Sequence, residues 1–159
     1  MFGSPGAPNP PPQLMGGVVI NEIYYHPQSD RDGQEFVEIY NATTETINLS
    51  GWAFLDGFGY DFPIGASLPP DSYLVIGHNP SQVENLFGIA GVLGPFESAK
   101  LSNRGERIAL HDNLGNLVDA VTYADSRPWP TEPDGDGPSL ELINPDFDRN
   151  SPACWAASL

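Results

Sequence analysis

Glycine and proline divide this chain into many short segments. It contains 17 glycines and 17 prolines among 159 residues, and they follow no collagen-like period. The segments between them are rich in β-branched and aromatic residues, which are enriched in strands. Many short strands joined by turns are typical of all-β folds. We therefore predict an all-β sandwich with at most one or two short helices.

The predicted domain follows a leader that is poor in apolar residues. Residues 1–17 (MFGSPGAPNPPPQLMGG) are interpreted as a Pro/Gly-rich linker or as residues left by cloning, and residues 18–159 as the folded domain. A short helix is predicted at 81–87, capped by Ser81 and ended by Gly88. Strands are predicted at 18–26, 35–41, 51–55, 72–77, 107–112, 117–123 and 139–143.

The charge balance disfavours several classes of partner. With 21 acidic and 6 basic residues, the net charge is −15. So few cations disfavour binding to nucleic acid or to an anionic membrane surface. The single cysteine, Cys154, allows neither an intrachain disulfide nor a cysteine-based zinc site. The excess of carboxylates leaves oxygen ligands free for a hard cation such as Ca²⁺.

The sequence predicts neither membrane insertion nor a signal peptide. No apolar run approaches the roughly 20 residues that span a bilayer. The first residues lack the positive and apolar regions of a secretory signal. If the protein is exported, its signal is expected outside this fragment.

Eight short phrases occur in an order shared with a known family. They are VVINEI at 18–23, EFVEIYN at 35–41, NLSGW at 48–52, LPPDSYLVI at 68–76, LSNRGE at 101–106, DAVTY at 119–123, DGPSLEL at 136–142 and NSPACW at 150–155. Through this ordered set the chain resembles bacterial lamin-tail domains over residues 18–158.

The resemblance implies a fold and a class of function. The fold would be an immunoglobulin-like β-sandwich. The function would be that of a non-catalytic structural or protein-interaction module in a larger, exported bacterial protein, located outside the cell or in its envelope. Its partner would be another protein or a neighbouring domain of the same chain. The family offers no catalytic residues to transfer.

Strand periodicity predicts the core. Trp52 is expected to pack there as well, and Trp129 less so, because its surroundings at 127–131 (RPWPT) look like a loop. Exposed tryptophans could instead bind sugars or a partner. The predicted core positions are Val37, Ile39, Leu74, Ile76, Ile108, Leu110, Val121, Tyr123, Leu140 and Leu142.

The first predicted hairpin brings two glutamates together. If its turn is centred near Asp30, Glu22 faces Glu38, Tyr24 faces Phe36 and Ile20 faces Tyr40. Like charges directly opposite each other are unfavourable and need an offset. Solvent or an arginine, Arg104 or Arg107, is the expected offset; a bound cation or a shared proton are the alternatives.

Two loops have the alternating oxygen ligands that suit Ca²⁺. Asp30, Asp32 and Glu35 surround Gly33 in the first loop. Asp146, Asp148 and Asn150 alternate in the second. Ordinary turns with side chains capping the backbone are nevertheless the expected state of both loops, and one loop alone supplies too few ligands for the 6–8 oxygens of a calcium shell.

Three functions therefore remain open from the sequence. The leading one is a non-catalytic interaction module. The second is a calcium-dependent adhesion or carbohydrate-binding module, with Glu22 and Glu38 as further candidate ligands. The third is a small hydrolase that uses these two paired carboxylates. An uncovered edge strand could also pair between chains.

Overall fold

The computed structural model describes residues 17–28, 30–96 and 100–159. The predicted linker at 1–17 lies outside these ranges except for Gly17. The described residues form two main antiparallel sheets, a small two-stranded sheet and one short α-helix, which confirms the predicted all-β sandwich. None of the helices in the described ranges is long and apolar enough to cross a membrane.

The first sheet has five strands in the order β11-β10-β1-β2-β7. Its central hairpin, β1 and β2, comes from the two segments richest in β-branched and aromatic residues. The strands are β1 (Val18–Tyr24), β2 (Phe36–Asn41), β7 (Tyr73–Gly77), β10 (Leu140–Leu142) and β11 (Trp155–Ala157).

The second sheet has four strands in the order β5-β4-β8-β9, and a two-stranded ladder joins β3 to β6. The β8–β9 hairpin closes through the turn at 112–116, where Asp112 accepts hydrogen bonds from the backbone of Leu114 and Asn116. The strands are β3 (Ile47–Asn48), β4 (Ala53–Asp56), β5 (Tyr60–Asp61), β6 (Ser67–Leu68), β8 (Arg107–His111) and β9 (Leu117–Thr122).

The predicted helix exists, but another residue caps it. Helix α1 spans Pro80–Phe87, and the side chain of Asn79 accepts a hydrogen bond from the backbone N–H of Gln82. Asn79, rather than Ser81, is therefore the N-cap, because Pro80 fits the first helical position. Gly88 ends the helix in a left-handed conformation, as predicted.

The core lies between the two sheets. All ten predicted core positions contribute to it: nine are buried, and Leu74 is partly buried against the same cluster. Trp52 and Trp129 are also buried, at 8% and 7% exposure. The alternation of side chains along each strand thus identified the inner faces correctly.

The register of the first hairpin was predicted only in part. Glu22 pairs with Glu38 and Tyr24 pairs with Phe36, as expected. Ile20 pairs with Ile39 and not with Tyr40, because the register shifts at Asn21. A β-bulge inserts one unpaired residue and moves every pair beyond it by one position.

Candidate functional site

Three glutamates form a row across the outer face of the five-stranded sheet. Glu22 of β1 pairs with Glu38 of β2 on one side and with Glu141 of β10 on the other. Successive residues of a strand point to opposite faces, so these side chains face away from the core. The outer face of the sheet therefore carries three adjacent carboxylates, next to the part of that face that α1 covers.

Neutral side chains hydrogen-bond two of these three glutamates, which we refer to together as the glutamate row. Glu38 accepts a hydrogen bond from the side chain of Asn21 at 2.9 Å, and Glu22 accepts one from the hydroxyl of Ser139. Burial raises the pKa of Glu38 to about 7, with further repulsion from Glu22 and Glu141. Burial also raises the pKa of Glu22. Glu38 is therefore partly protonated near neutral pH.

The arginine expected to offset this repulsion lies elsewhere. Arg107 pairs with Asp56 instead. Within the described ranges, no ion pair joins Arg104 to either glutamate. Asn21, which the bulge turns toward Glu38, supplies the hydrogen bond that was expected from arginine. Of the two expected offsets, solvent and arginine, the arginine pairing is therefore not formed among the described residues.

An aromatic cluster adjoins the row where α1 crosses the sheet. Tyr24 and Phe36 are buried beneath Val83 of the helix. Phe87 packs edge-on against both rings, with centroid distances of 5.7 and 5.4 Å. Phe87 and the adjacent Leu86 nevertheless remain 46% and 47% exposed. The end of α1 thus presents two large apolar side chains to solvent.

Two shallow grooves meet at this cluster, since both are lined by Tyr24, Phe87 and Gly137. One, of about 470 Å³, extends to Arg31 and Leu86; the other, of about 340 Å³, extends to Glu22 and Ser139. We refer to the two together as the outer-face groove. It has an apolar centre and an acidic end, and it is the candidate functional site.

The first predicted calcium loop spreads its carboxylates apart. Asp30 contacts His26 at 2.8 Å, and Asp32 pairs with Lys100 at 3.3 Å. Glu35 points into the protein, fully buried, and accepts a hydrogen bond from the backbone N–H of Leu101 at 2.7 Å. The three side chains therefore point to three different partners.

Glu35 is the fully buried acid of this loop. Burial raises its pKa to about 8, against the opposing hydrogen bond from Leu101. Its second oxygen, Oε1, is buried without a hydrogen-bond partner in the described part of the chain. His78 Nδ1 lies 3.9 Å from Oε2 but hydrogen-bonds the backbone carbonyl of Asp32 at 3.0 Å. A neutral carboxyl therefore suits this environment better than a carboxylate, because burying a charge is costly.

His26 bridges two loops through both ring nitrogens. Nδ1 lies 2.6 Å from Asp134 and Nε2 lies 2.8 Å from Asp30. Both carboxylates can only accept hydrogen bonds when ionised, so the bridge requires the imidazolium form. Partial burial lowers the pKa of His26, but the bonds to Asp134 and Asp30 outweigh this effect and raise it overall.

The His26 bridge predicts pH-dependent protection of the first loop. The pKa of His26 in the folded chain lies above 6.5. The bridge therefore contributes its full stabilisation below pH 6.5, and this stabilisation is lost as the pH rises through the raised pKa. Amide protection factors at 30–34 are expected to fall across this window, whereas those of the 112–116 turn stay constant. His26→Gln should remove the pH dependence. Equal pH dependence in the variant would contradict the role of His26.

The second predicted calcium loop is organised by a guanidinium. Arg149 donates hydrogen bonds to the backbone carbonyls of Pro145 and Phe147 and to the buried carboxylate of Asp119. Asp148 accepts a hydrogen bond from the backbone N–H of Asn150 at 2.9 Å. The hydrogen bond from Asn150 to Asp148 is that of an ordinary Asx turn.

Calcium binding stays a prediction for all eight candidate residues. Within the described ranges, no three His, Cys, Asp or Glu side chains lie close enough together to hold a metal ion. Asparagine and backbone oxygens also bind Ca²⁺. The eight candidates are Asp30, Asp32, Glu35, Asp146, Asp148, Asn150, Glu22 and Glu38.

Comparison with known families identifies the chain. The Lamin Tail Domain family matches residues 11–125. This chain belongs to the lamin tail domain family. Members of this non-enzymatic family have an immunoglobulin-like fold, which agrees with the two-sheet sandwich described above. No curated protein matches the chain.

Sequence reasoning missed two features of this lamin tail domain. The outer-face groove depends on the position of α1 over the sheet, which the sequence did not reveal. The buried ion pair of Asp119 with Arg149, at 2.8 Å, joins residues 30 positions apart. One signal was available: Asp119 falls within a segment otherwise read as a buried strand, and a buried acid needs a partner.

Proposed function

We propose that this lamin tail domain is a non-catalytic interaction module that binds a protein partner, or a neighbouring domain of its own chain, in the outer-face groove. The observation that carries the proposal is the side-by-side exposure of Leu86 and Phe87 next to the glutamate row. Exposed apolar side chains bordered by polar groups are typical of protein interaction sites.

The charges of the groove define the partner. Glu22 and Asp136 line one end of it, and Glu38 and Glu141 flank Glu22 on the sheet. A partner segment should therefore combine apolar side chains for the centre with lysine or arginine for the acidic end. The net charge of −15 would speed the approach of such a cationic segment.

The resemblance to bacterial lamin-tail domains is the ground for also proposing a location outside the cell or in its envelope. The excess of acidic over basic residues bears on the partner. It disfavours nucleic acid and anionic membranes as partners. The Pro-rich leader would then serve as a spacer within a larger exported protein.

Binding of a defined peptide tests the proposed function. The probe is a short fluorescent peptide in which leucine alternates with lysine, and the control peptide has glutamate in place of lysine. We expect binding of the lysine peptide only, and a loss of roughly tenfold or more in affinity for Glu22→Gln combined with Phe87→Ala, since each 1.4 kcal/mol is tenfold.

The matched control is Glu45→Gln combined with Leu114→Ala, which changes an exposed acid and an exposed apolar residue outside the groove. It should bind the lysine peptide as the parent chain does. Equal weakening in both double variants would show general charge attraction and would contradict a site in the groove.

A further inference from the structure

Two tyrosines stack on each other at the surface of the five-stranded sheet. Tyr40 of β2 and Tyr73 of β7 are directly opposite each other in the strand register, and their ring centroids are 4.7 Å apart. Tyr40 is half-buried, whereas Tyr73 is 57% exposed. We refer to them as the tyrosine pair. It presents a large aromatic surface to solvent.

The tyrosine pair and the glutamate row share the outer face of the sheet. Tyr40 follows Glu38 by two residues along β2, so both side chains point to the same face and lie about 7 Å apart along the strand. On the other side of Glu38, Phe36 lies in the aromatic cluster beneath α1. The tyrosine pair is therefore at the opposite end of β2 from that cluster.

Carboxylates surround the tyrosine pair. The hydroxyl of Tyr40 donates a hydrogen bond to Oδ1 of Asp71 at 3.1 Å. Partial burial, this hydrogen bond and the negative charges of Asp71 and Asp146 raise the pKa of Tyr40. Within the described ranges, no lysine or arginine forms an ion pair with Asp71 or Asp146. The aromatic surface therefore lies in a negative environment that the described cations of the chain do not neutralise.

A guanidinium fits this combination of groups. The face of a tyrosine ring attracts a cation, and the planar guanidinium can stack on the ring while it donates hydrogen bonds to a carboxylate. Asp71 can accept them, because an ionised carboxylate has about four acceptor sites and the bond from Tyr40 takes only one. The net charge of −15 attracts a cationic partner and repels a second copy of this chain.

We propose that the tyrosine pair binds an arginine side chain of a partner protein, with the guanidinium stacked on Tyr73 and hydrogen-bonded to Asp71. Facing aromatic side chains also stabilise a pair of strands, but that role needs no carboxylate beside the rings. The inference does not depend on the outer-face groove, because neither tyrosine lines that groove.

Two fluorescent peptides of equal charge test the proposal. Arginine alternates with serine in one peptide, and lysine replaces arginine in the other. We expect the parent chain to bind the arginine peptide about three- to tenfold more tightly than the lysine peptide, since stacking favours the guanidinium. Tyr73→Ala should abolish this preference. Tyr73→Phe, which keeps the aromatic ring, should retain it.

The variant Asp71→Asn tests the carboxylate. Asp71 has a left-handed φ of +51°, which asparagine also tolerates, and an asparagine oxygen can still accept from Tyr40. The fold should therefore be kept, while the arginine peptide should bind about threefold more weakly or worse, because hydrogen bonds to a charged acceptor are the stronger ones. The matched control is Asp61→Asn, which removes an exposed carboxylate from β5 of the other sheet and should have little effect.

A further control separates this site from the outer-face groove. Phe87→Ala removes an exposed aromatic ring from the other end of the same face, and should leave the preference for arginine unchanged. Loss of the preference in this variant, with Tyr73→Ala behaving like the parent chain, would place the arginine in the groove and overturn the proposal.

Other results would also overturn it. Equal affinity of the parent chain for the two peptides, or equal weakening by Asp71→Asn and Asp61→Asn, would show general charge attraction. Binding of cellohexaose that is lost in Tyr73→Ala, without any preference for the arginine peptide, would assign the tyrosine pair to a neutral sugar instead. In amide spectra of the ¹⁵N-labelled chain, the arginine peptide should shift the signals of Asp71 and Tyr73 most.

Discussion

Asp119→Ala is expected to lower the free energy of unfolding by about 3–5 kcal/mol. Asp119 is 5% exposed and accepts hydrogen bonds from Arg149 and from the backbone N–H of Ile20, both at 2.8 Å. Removing the carboxylate leaves a largely buried guanidinium and a buried N–H without their acceptor. Urea unfolding measures the loss.

The size of this effect follows from burial and not from the ion pair itself. Burial raises the pKa of Asp119, against the attraction of Arg149, so forming the pair is costly. Breaking it on one side is costlier still, since the other charge stays buried.

The matched control is the exposed pair of Asp56 with Arg107, whose side chains are 49% and 44% exposed. Asp56→Ala should cost about 1 kcal/mol or less. Equal losses for the two aspartates would contradict the assignment of Asp119 as a buried link between β1, β9 and the Arg149 loop.

Glu35→Gln is expected to stabilise the protein at alkaline pH. The pKa of Glu35 rises from 4.5 to about 8 on folding, so between these values the folded chain holds a proton that the unfolded chain has released. Stability from this group is therefore fully present below pH 4.5 and is lost as pH rises through 8. Glu38, with a pKa of about 7, acts in the same direction, because its contribution to stability is also lost as the pH rises.

Glutamine reproduces the neutral carboxyl that the site favours. Its oxygen can still accept from Leu101, and it has no charge to bury. Since one pKa unit corresponds to about 1.4 kcal/mol, the variant should be more stable than the parent at pH 8.5 by at least about 2 kcal/mol. At pH 5 the two should differ little.

Denaturant unfolding at both pH values measures this difference. Glu45→Gln, at an exposed position, should leave the pH dependence of the parent unchanged. A Glu35→Gln variant that is less stable than the parent at pH 8.5 would contradict the neutral state of Glu35.

The sequence predicted the features that depend on local pattern. Alternation along β2, β8 and β9 identified the buried faces. The turn near Asp30 identified the pairing of Glu22 with Glu38. The bulge at Asn21 escaped prediction because one extra residue in a strand leaves no signal that differs from ordinary alternation.

Features set by distant parts of the chain could not be predicted. Four strands are too short to show an alternating pattern of side chains: Ile47–Asn48, Tyr60–Asp61, Ser67–Leu68 and Trp155–Ala157. The acidic loops looked alike as local patterns, whereas their carboxylates are directed by His26, Lys100 and Arg149, and Lys100 lies 68 residues from its partner Asp32. Tertiary partners, and not loop composition, decide where these side chains point.

The most direct test of the interaction module is the location of its bound peptide. Amide signals of the ¹⁵N-labelled chain are followed while the leucine-lysine peptide is added. We expect the largest changes around the outer-face groove, at Glu22, Phe87, Gly137 and Ser139. Changes concentrated on the four-stranded sheet, or spread evenly over all acidic loops, would contradict it.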